Sequence, residues 1–399
     1  MTFPSLLSEA VARAAVDAAV HSSGAAIDPG SGRGIVIPAG GPRYFPSAWV
    51  CIRTLRDLGC ELPVELWYVG EGEMDAEMRS LVAPLGVTCV DAEQVARLHP
   101  VRFVTGWPLK AFALQYSGFR EVLLLDADNM PLVDPTFLYE EQEYRSSGAI
   151  FWPDKGSLGQ HKKIWELMGV EYRDEPAVES GQLLVDRYAC RDAVRLAAWM
   201  NCDHGDFWYQ YIYGDKDTFH LAWRKLSLEY AMPRSPIGKL PHTMIQHDFG
   251  GRAIFQHRHG NKWSLDSQVL RIPGFRWENR CRAYLAELRH HWPQHPARPY
   301  RSDETDEPTR AVADSLTNGS WSLATASRFC IVKLTPDGRV IGGCPRERHW
   351  SVRVHEHDAL LSITGMDSLA WLLARGDSNT WAGRAPAEPG RSVRMDRVR

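Results

Sequence analysis

Glu121-Val-Leu-Leu-Leu-Asp126-Ala-Asp128-Asn-Met-Pro131 is the stretch that decides the fold. Its apolar run, Val122 to Leu125, stops at two carboxylates separated by a single residue. So short an apolar run, bounded by a polar break, predicts a strand buried on both faces, as in a parallel sheet. The carboxylates then fall past the strand's carboxyl end, where open α/β sheets bind ligands. Residues two apart in an extended segment share a face, so Asp126 and Asp128 are expected to grip one divalent cation. Hard oxygen donors suit Mg²⁺ or Mn²⁺. Asp-x-Asp alone is unspecific: Asp215-Lys-Asp217 repeats it, and a capped turn before Pro131 is the competing structural reading.

Upstream, Gly34-Ile-Val-Ile37 reads as a buried strand running into Pro38-Ala-Gly40-Gly41. Strand, glycine turn and helix in that order let backbone N–H groups approach a nucleotide. The G-x-G-x-x-G dinucleotide fingerprint is absent, so NAD is not implied. Ala48, Cys51, Ile52, Leu55 and Leu58 have helical spacing, with Gly59 as C-cap. Pro63–Val69 and Val87–Val90 predict two more strands, and Asp75 caps a helix between them. This alternation predicts an α/β domain: a mostly parallel sheet with flanking crossover helices. Trp107-Pro108-Leu109-Lys110 opens a helix with proline in its first turn. Lys110 lies off that helix's apolar face, either reaching a phosphate or simply solvated.

Downstream, Gly148–Trp152 predicts another buried strand, ending at Pro153-Asp154. Glu179-Ser-Gly181-Gln182 places polar groups at the start of the Leu183–Val185 strand. Gly214-Asp-Lys-Asp217 opens a helix, where acidic residues read equally well as caps. Phe255-Gln-His257-Arg-His259-Gly260-Asn-Lys262-Trp263 is dense in cationic and hydrogen-bonding groups, a candidate metal and phosphate element. The expected organisation is a helix and linker over 1–31, the α/β domain over 32–292, and a Pro-rich linker over 293–310. A small all-β module follows over 311–382, with Pro336-Asp337-Gly338 as a hairpin turn. Within it Trp321, Trp350 and Trp371 are favoured as core over a sugar platform. An Arg-rich disordered tail is expected over 383–399.

Composition narrows the class. Hydrophobic residues make up 44% and charged residues 24% of the 399, as in ordinary soluble domains. A formal charge of −3, from 46 basic and 49 acidic residues, makes no case for nucleic acid or an anionic membrane. Glu9, Arg13 and Asp17 break the Ala-rich N-terminal stretch, so it is not read as a signal peptide. No run approaches the roughly 20 apolar residues of a membrane span. Eight cysteines without a C-x-x-C pair indicate neither a zinc site nor a disulfide framework. The expected compartment is the cytoplasm.

Taken in order, these motifs resemble the fungal α-mannosyltransferase family of cell-wall mannan synthesis, a GT-A glycosyltransferase family. The resemblance rests on Gly34–Ile37 with its glycine turn, Ile52–Gly59, Leu62–Glu65, Leu109–Ala113, Leu123–Pro131, Phe151–Asp154, Glu179–Gln182 and Gly214–Phe219. It stops short of the β module. It implies a retaining transferase that takes a hexose from a nucleotide sugar, with GDP-mannose as donor. Asp126, Asp128 and His257 then become metal ligands. Gly40, Gly41, Lys110, Asp126, Asp154, Gly260 and Lys262 become donor contacts, and Glu179, Gln182 and Asp217 candidates for the reacting face of the sugar. The acceptor is open among glycan, lipid-linked sugar, protein and small molecule. Rival readings are a UDP-sugar donor, a haloacid-dehalogenase-like phosphatase, and a non-catalytic carbohydrate-binding protein. The phosphatase is disfavoured by Met130, where that chemistry expects Thr or Val.

Overall fold

The computed structural model describes residues 7–21, 28–265, 269–292, 307–336, 338–343, 349–355, 358–364, 369–376, 379–385 and 388–398. They fall into two compact units. The first holds Met1–Gly40, Ala48–Gly260 and Ile272–Glu278, the second Gly41–Ser47, Asn261–Arg271 and Asn279–Arg399.

In the first unit the strands are β1 (Arg33–Pro38), β2 (Val64–Tyr68), β3 (Val87–Asp91), β4 (Glu121–Leu125), β5 (Asn129–Pro131), β6 (Ala149–Pro153) and β7 (Val178–Asp186). Six of them form a sheet in the order β3-β2-β1-β4-β7-β6. β1, β2, β3 and β4 pair in parallel, and β7 runs antiparallel to both β4 and β6. The mostly parallel α/β sheet expected from sequence is therefore present. Val122–Leu125 is wholly buried, as a strand flanked by β1 and β7 must be. Chain order reverses direction between β1 and β4, and the carboxyl ends of strands at such a switch point are where open α/β sheets bind ligands.

A helix at Pro108–Tyr116 precedes β4. Its Phe112 ring meets Trp67 edge-on at 6.2 Å. Arg187, just past β7, is fully buried and donates to the carbonyls of Gln115, Ser117 and Phe119. Those bonds take up carbonyls that the helix end leaves unpaired and fix how the helix enters β4. A second sheet adds β8 (Gly238–Leu240), β9 (Thr243–His247) and β10 (Ala253–His257), all antiparallel, in the order β5-β10-β9-β8. Its β5–β10 register sets His257 opposite Asn129.

The second unit contains β11 (Trp321–Thr325), β12 (Arg328–Leu334), β13 (Val340–Ile341), β14 (His349–His355), β15 (Asp358–Thr364), β16 (Leu369–Arg375), β17 (Thr380–Ala385) and β18 (Glu388–Arg397). They form one antiparallel sheet, β13-β12-β11-β18-β17-β16-β15-β14. Trp321, Trp350, Trp371 and Trp381 are buried in its core, and the first two satisfy their indole N–H groups on Leu316 O and Thr335 O. The expected disordered tail is corrected here. Residues 388–397 are a strand between β11 and β17, because Val393 and Met395 alternate inward beneath an Arg-rich surface pattern. The expected linker also ends early, since Glu307–Thr317 is helical. Residues 293–306 and Asp337, the centre of the expected hairpin turn, lie outside the described residues.

Met395 is 0% exposed on the strand that joins the two halves of this sheet. Met395→Ala should destabilise the second unit by about 2–5 kcal/mol, read as a lower melting transition in calorimetry of the full chain.

Candidate active site

Asp126 leaves β4 still in the ladder, its N–H donating to Gly181 O at 2.9 Å. The chain then turns, with Asn129 N–H closing onto Asp126 O at 3.0 Å. The extended geometry expected for this segment is thus replaced by a turn. Asp126 and Asp128 converge because the chain folds back, not because a pleat aligns them. Arg258 N–H donates to Asp128 O at 3.0 Å, and the preceding residue, His257, is thereby delivered to the carboxylates.

His257 is buried between two sets of acids. Its Nε2 lies 3.3 Å from Asp128 Oδ1 and 3.8 Å from Asp126 Oδ2, while Nδ1 lies 3.2 Å from Glu179 Oε1. Burial opposes a charge on the ring, but Asp128 and Glu179 outweigh it and push its pKa up to about 10. Glu179 responds in the opposite sense. Burial would raise it, yet His257, Lys110 and the Gly181 N–H pull it down to about 2. That N–H donates to Glu179 Oε1 at 2.8 Å.

This geometry needs an irregularity in β7. Phe151 faces Leu183 but Trp152 faces Glu179, so Ser180, Gly181 and Gln182 have no opposite number on β6. On the other side the β4 ladder continues, with Leu125 opposite Gln182. Such a bulge re-aims side chains beside a site. At its centre a Cβ on Gly181 would stand 2.4 Å from His257 Nδ1, so only glycine fits. Gln182 is fully buried, its Oε1 accepting from Asn129 Nδ2 at 2.6 Å.

Lys110 closes the arrangement. Its ammonium is 3.0 Å from Asp126 Oδ1 and 3.1 Å from Asp215 Oδ2, and donates to Ser180 Oγ at 3.0 Å. Burial disfavours the charge, but the Asp126 and Asp215 carboxylates more than compensate and raise its pKa. Lysine has three donors, and its hydrogen bonds go to Asp126 Oδ2, Ser180 O and Ser180 Oγ. Asp215 and Ser180 were not singled out from sequence. Asp215 reads there as a helix cap, whereas here it is buried and makes no side-chain cap bond.

The remaining expected residues divide. Asp154 pairs with Lys216, and the Glu179 carboxylate adds to the field on that lysine. Asp217 is 1% exposed beside His220, with 3.8 Å between Oδ1 and Nδ1. Burial lifts Asp217 to about 6 and drops His220 to about 3, so the contact is not an ion pair at neutral pH. Gly40 packs where a Cβ would meet Tyr68 Cβ at 2.8 Å, and Gly260 where one would meet His242 Nδ1 at 3.0 Å. Gly41, with φ of 66°, and Lys262, whose Nζ sits 5.8 Å from the Tyr44 ring centre, belong to the second unit.

The donor set suits a hard divalent cation. Asp126, Glu179 and His257 each offer an atom within 4.8 Å of the others, and Asp128 adjoins His257. Carboxylate oxygens with one imidazole match Mn²⁺, or Mg²⁺ with added water.

Comparison with known proteins agrees with the sequence resemblance. Residues 32–175 match the family model described as "Mannosyltransferase putative". The chain is related in sequence to α-1,2-mannosyltransferases. It is 27% identical over 270 residues to alpha-1,2-mannosyltransferase MNN2 of Saccharomyces cerevisiae, covering 54% of this chain and 45% of that protein. It is 31% identical over 141 residues to MNN2 of Candida albicans, covering 35% and 24%. The chain thus spans less than half of either mannosyltransferase. Among solved structures, the bifunctional glycosyltransferase WbbM aligns at 12% identity with a TM-score of 0.39, covering 51% of this chain and 39% of that one. Galactosyltransferase LgtC, with donor and acceptor sugar analogues, aligns at 14% identity with a TM-score of 0.35, covering 50% and 73%. No helix of the described residues is long and apolar enough to cross a membrane.

Gly181→Ala should preserve the circular-dichroism spectrum while weakening Mn²⁺ binding in calorimetry, by roughly tenfold or more. Asp217 gives a pH test. Its folded pKa exceeds the unfolded one, so it favours the fold at low pH, and that contribution is lost as pH rises through about 6. Asp217→Asn should therefore melt higher than the parent above pH 6, by an amount on the order of 2 kcal/mol, with the difference vanishing near pH 4.

Proposed function

We propose that the chain is a metal-dependent retaining glycosyltransferase that moves mannose from GDP-mannose to a hydroxyl acceptor: a glycan, lipid-linked sugar, protein or small molecule. The observation carrying this reading is the His257 ring held between the Asp126–Asp128 turn and Glu179 at the sheet's switch point. The names of the relatives support mannose as the sugar.

Asp126, Asp128 and His257 Nε2 would hold a Mn²⁺ or Mg²⁺. When bound, the ion supplies Lewis-acid neutralisation of the leaving diphosphate. Glu179, 3.2 Å from Nδ1, would fix which histidine nitrogen faces the aspartates, as the usual carboxylate outer partner of a ligating imidazole does. That assigns Glu179 to positioning rather than to nucleophilic attack. Lys110 holds Asp126, Asp215 and the β7 bulge in one arrangement, and its charge keeps the acids from repelling one another apart. The Asp154–Lys216 pair is left to grip sugar hydroxyls, and Gln182 orders the turn through Asn129.

The test is nucleoside diphosphate release from a panel of GDP- and UDP-sugars with Mn²⁺. Release should be fastest with GDP-mannose and should stop on chelation. Asp128→Ala should lower it by roughly a hundredfold or more while the fold survives. Full turnover in that variant, or after thorough chelation, would sink the assignment. Phosphate release from sugar phosphates would instead favour the phosphatase.

A further inference from the structure

Most large aromatic side chains of the first unit are buried, but Trp107 is 45% and Tyr213 75% exposed. Their ring centres are 5.5 Å apart and inclined at 57°. Tyr209 stands edge-on to Trp107 at 5.4 Å. Together the rings meet at an angle, as an aromatic corner rather than a parallel slot.

The corner's position is set by the same residues that order the acid cluster. Trp107 caps the helix Pro108–Tyr116, one turn ahead of Lys110, and residues three apart on a helix are neighbours. Tyr213 is two residues ahead of Asp215, hence within about 7 Å of it along the chain. Lys110 and Asp215 are themselves paired at 3.1 Å. Gly214, with φ of 65°, allows the turn between them, and a Cβ there would meet the Trp107 indole at 2.9 Å. The next residue, Lys216, brings its ammonium to 5.9 Å from the Tyr213 ring centre while pairing with Asp154. Hydrophobic ring faces thus border a lysine–carboxylate pair on the rim of the cluster.

We propose that Trp107 and Tyr213 form the acceptor subsite, stacking on a pyranose ring of a glycan whose hydroxyl receives the transferred sugar. This deepens the glycosyltransferase reading and rests on it. A sugar presents C–H faces to aromatic rings and hydroxyls to charged neighbours, and the corner offers both. A flat nucleobase is held best by rings parallel to it; rings inclined at 57° fit a puckered ring better. The glycine turn expected to meet the donor nucleotide lies at the end of β1, on the other chain segment that flanks the switch point.

The experiment titrates the full chain with α-1,2-linked mannotriose, followed by saturation-transfer NMR, and separately with GDP plus Mn²⁺ in a calorimeter. Trp107→Ala and Tyr213→Ala should each weaken trisaccharide binding by roughly tenfold or more, and Trp107→Phe and Tyr213→Phe should restore most of it. In transfer assays the alanine variants should raise the acceptor KM more than they lower kcat. No trisaccharide binding by the parent protein, or undiminished binding in both alanine variants, would overturn the proposal. So would weakened GDP binding with the trisaccharide unaffected, which would assign the rings to the donor's base. Failure of the underlying reading shows elsewhere, as absence of nucleoside diphosphate release from every sugar nucleotide by the parent protein.

Discussion

Carboxylates crowded at one sheet edge repel each other, and the first unit is built around holding Asp126, Asp128, Glu179 and Asp215 together despite that. Lys110 and His257 supply positive charge from opposite sides, one from the helix before β4 and one from the last strand of the small sheet. At such short separations in a partly dry setting the interactions are far stronger than in water, and removing either cation leaves buried acids uncompensated. The same imbalance that makes the site costly to assemble makes it receptive to a divalent ion.

The sheet itself was readable from its alternation of apolar runs and helical patterns, and β4 with its terminal acids was readable almost residue by residue. Helical spacing told which way Lys110 points but not what covers it. The covering group is the β7 bulge, a long-range feature with no local signature beyond Glu179-Ser-Gly-Gln182. Asp215 and Asp217 show the same limit. Two residues apart on a helix they diverge by about 200°, one toward Lys110 and one into the core beside His220. Sequence favoured Asp217, and only packing separates them.

His257 was flagged by the density of polar groups around it, yet its place depends on the pairing of β5 with β10 across more than a hundred intervening residues. Strand pairing at that separation leaves no periodic trace. The C-terminal strand was missed for a different reason. Arginine content points to solvent, and the two-residue alternation of Val393 and Met395 is too short to outweigh it.

The interrupted strand β7 divides its two flanks between different tasks. Its ladder to β4 stays in register through Leu125 and Gln182, so the interruption is confined to the β6 side. Ser180 and Gly181 are thereby placed against Lys110 and His257, and a change in either is felt first at the acid cluster. One strand thus carries cohesion of the interior on one flank and the geometry of the rim on the other.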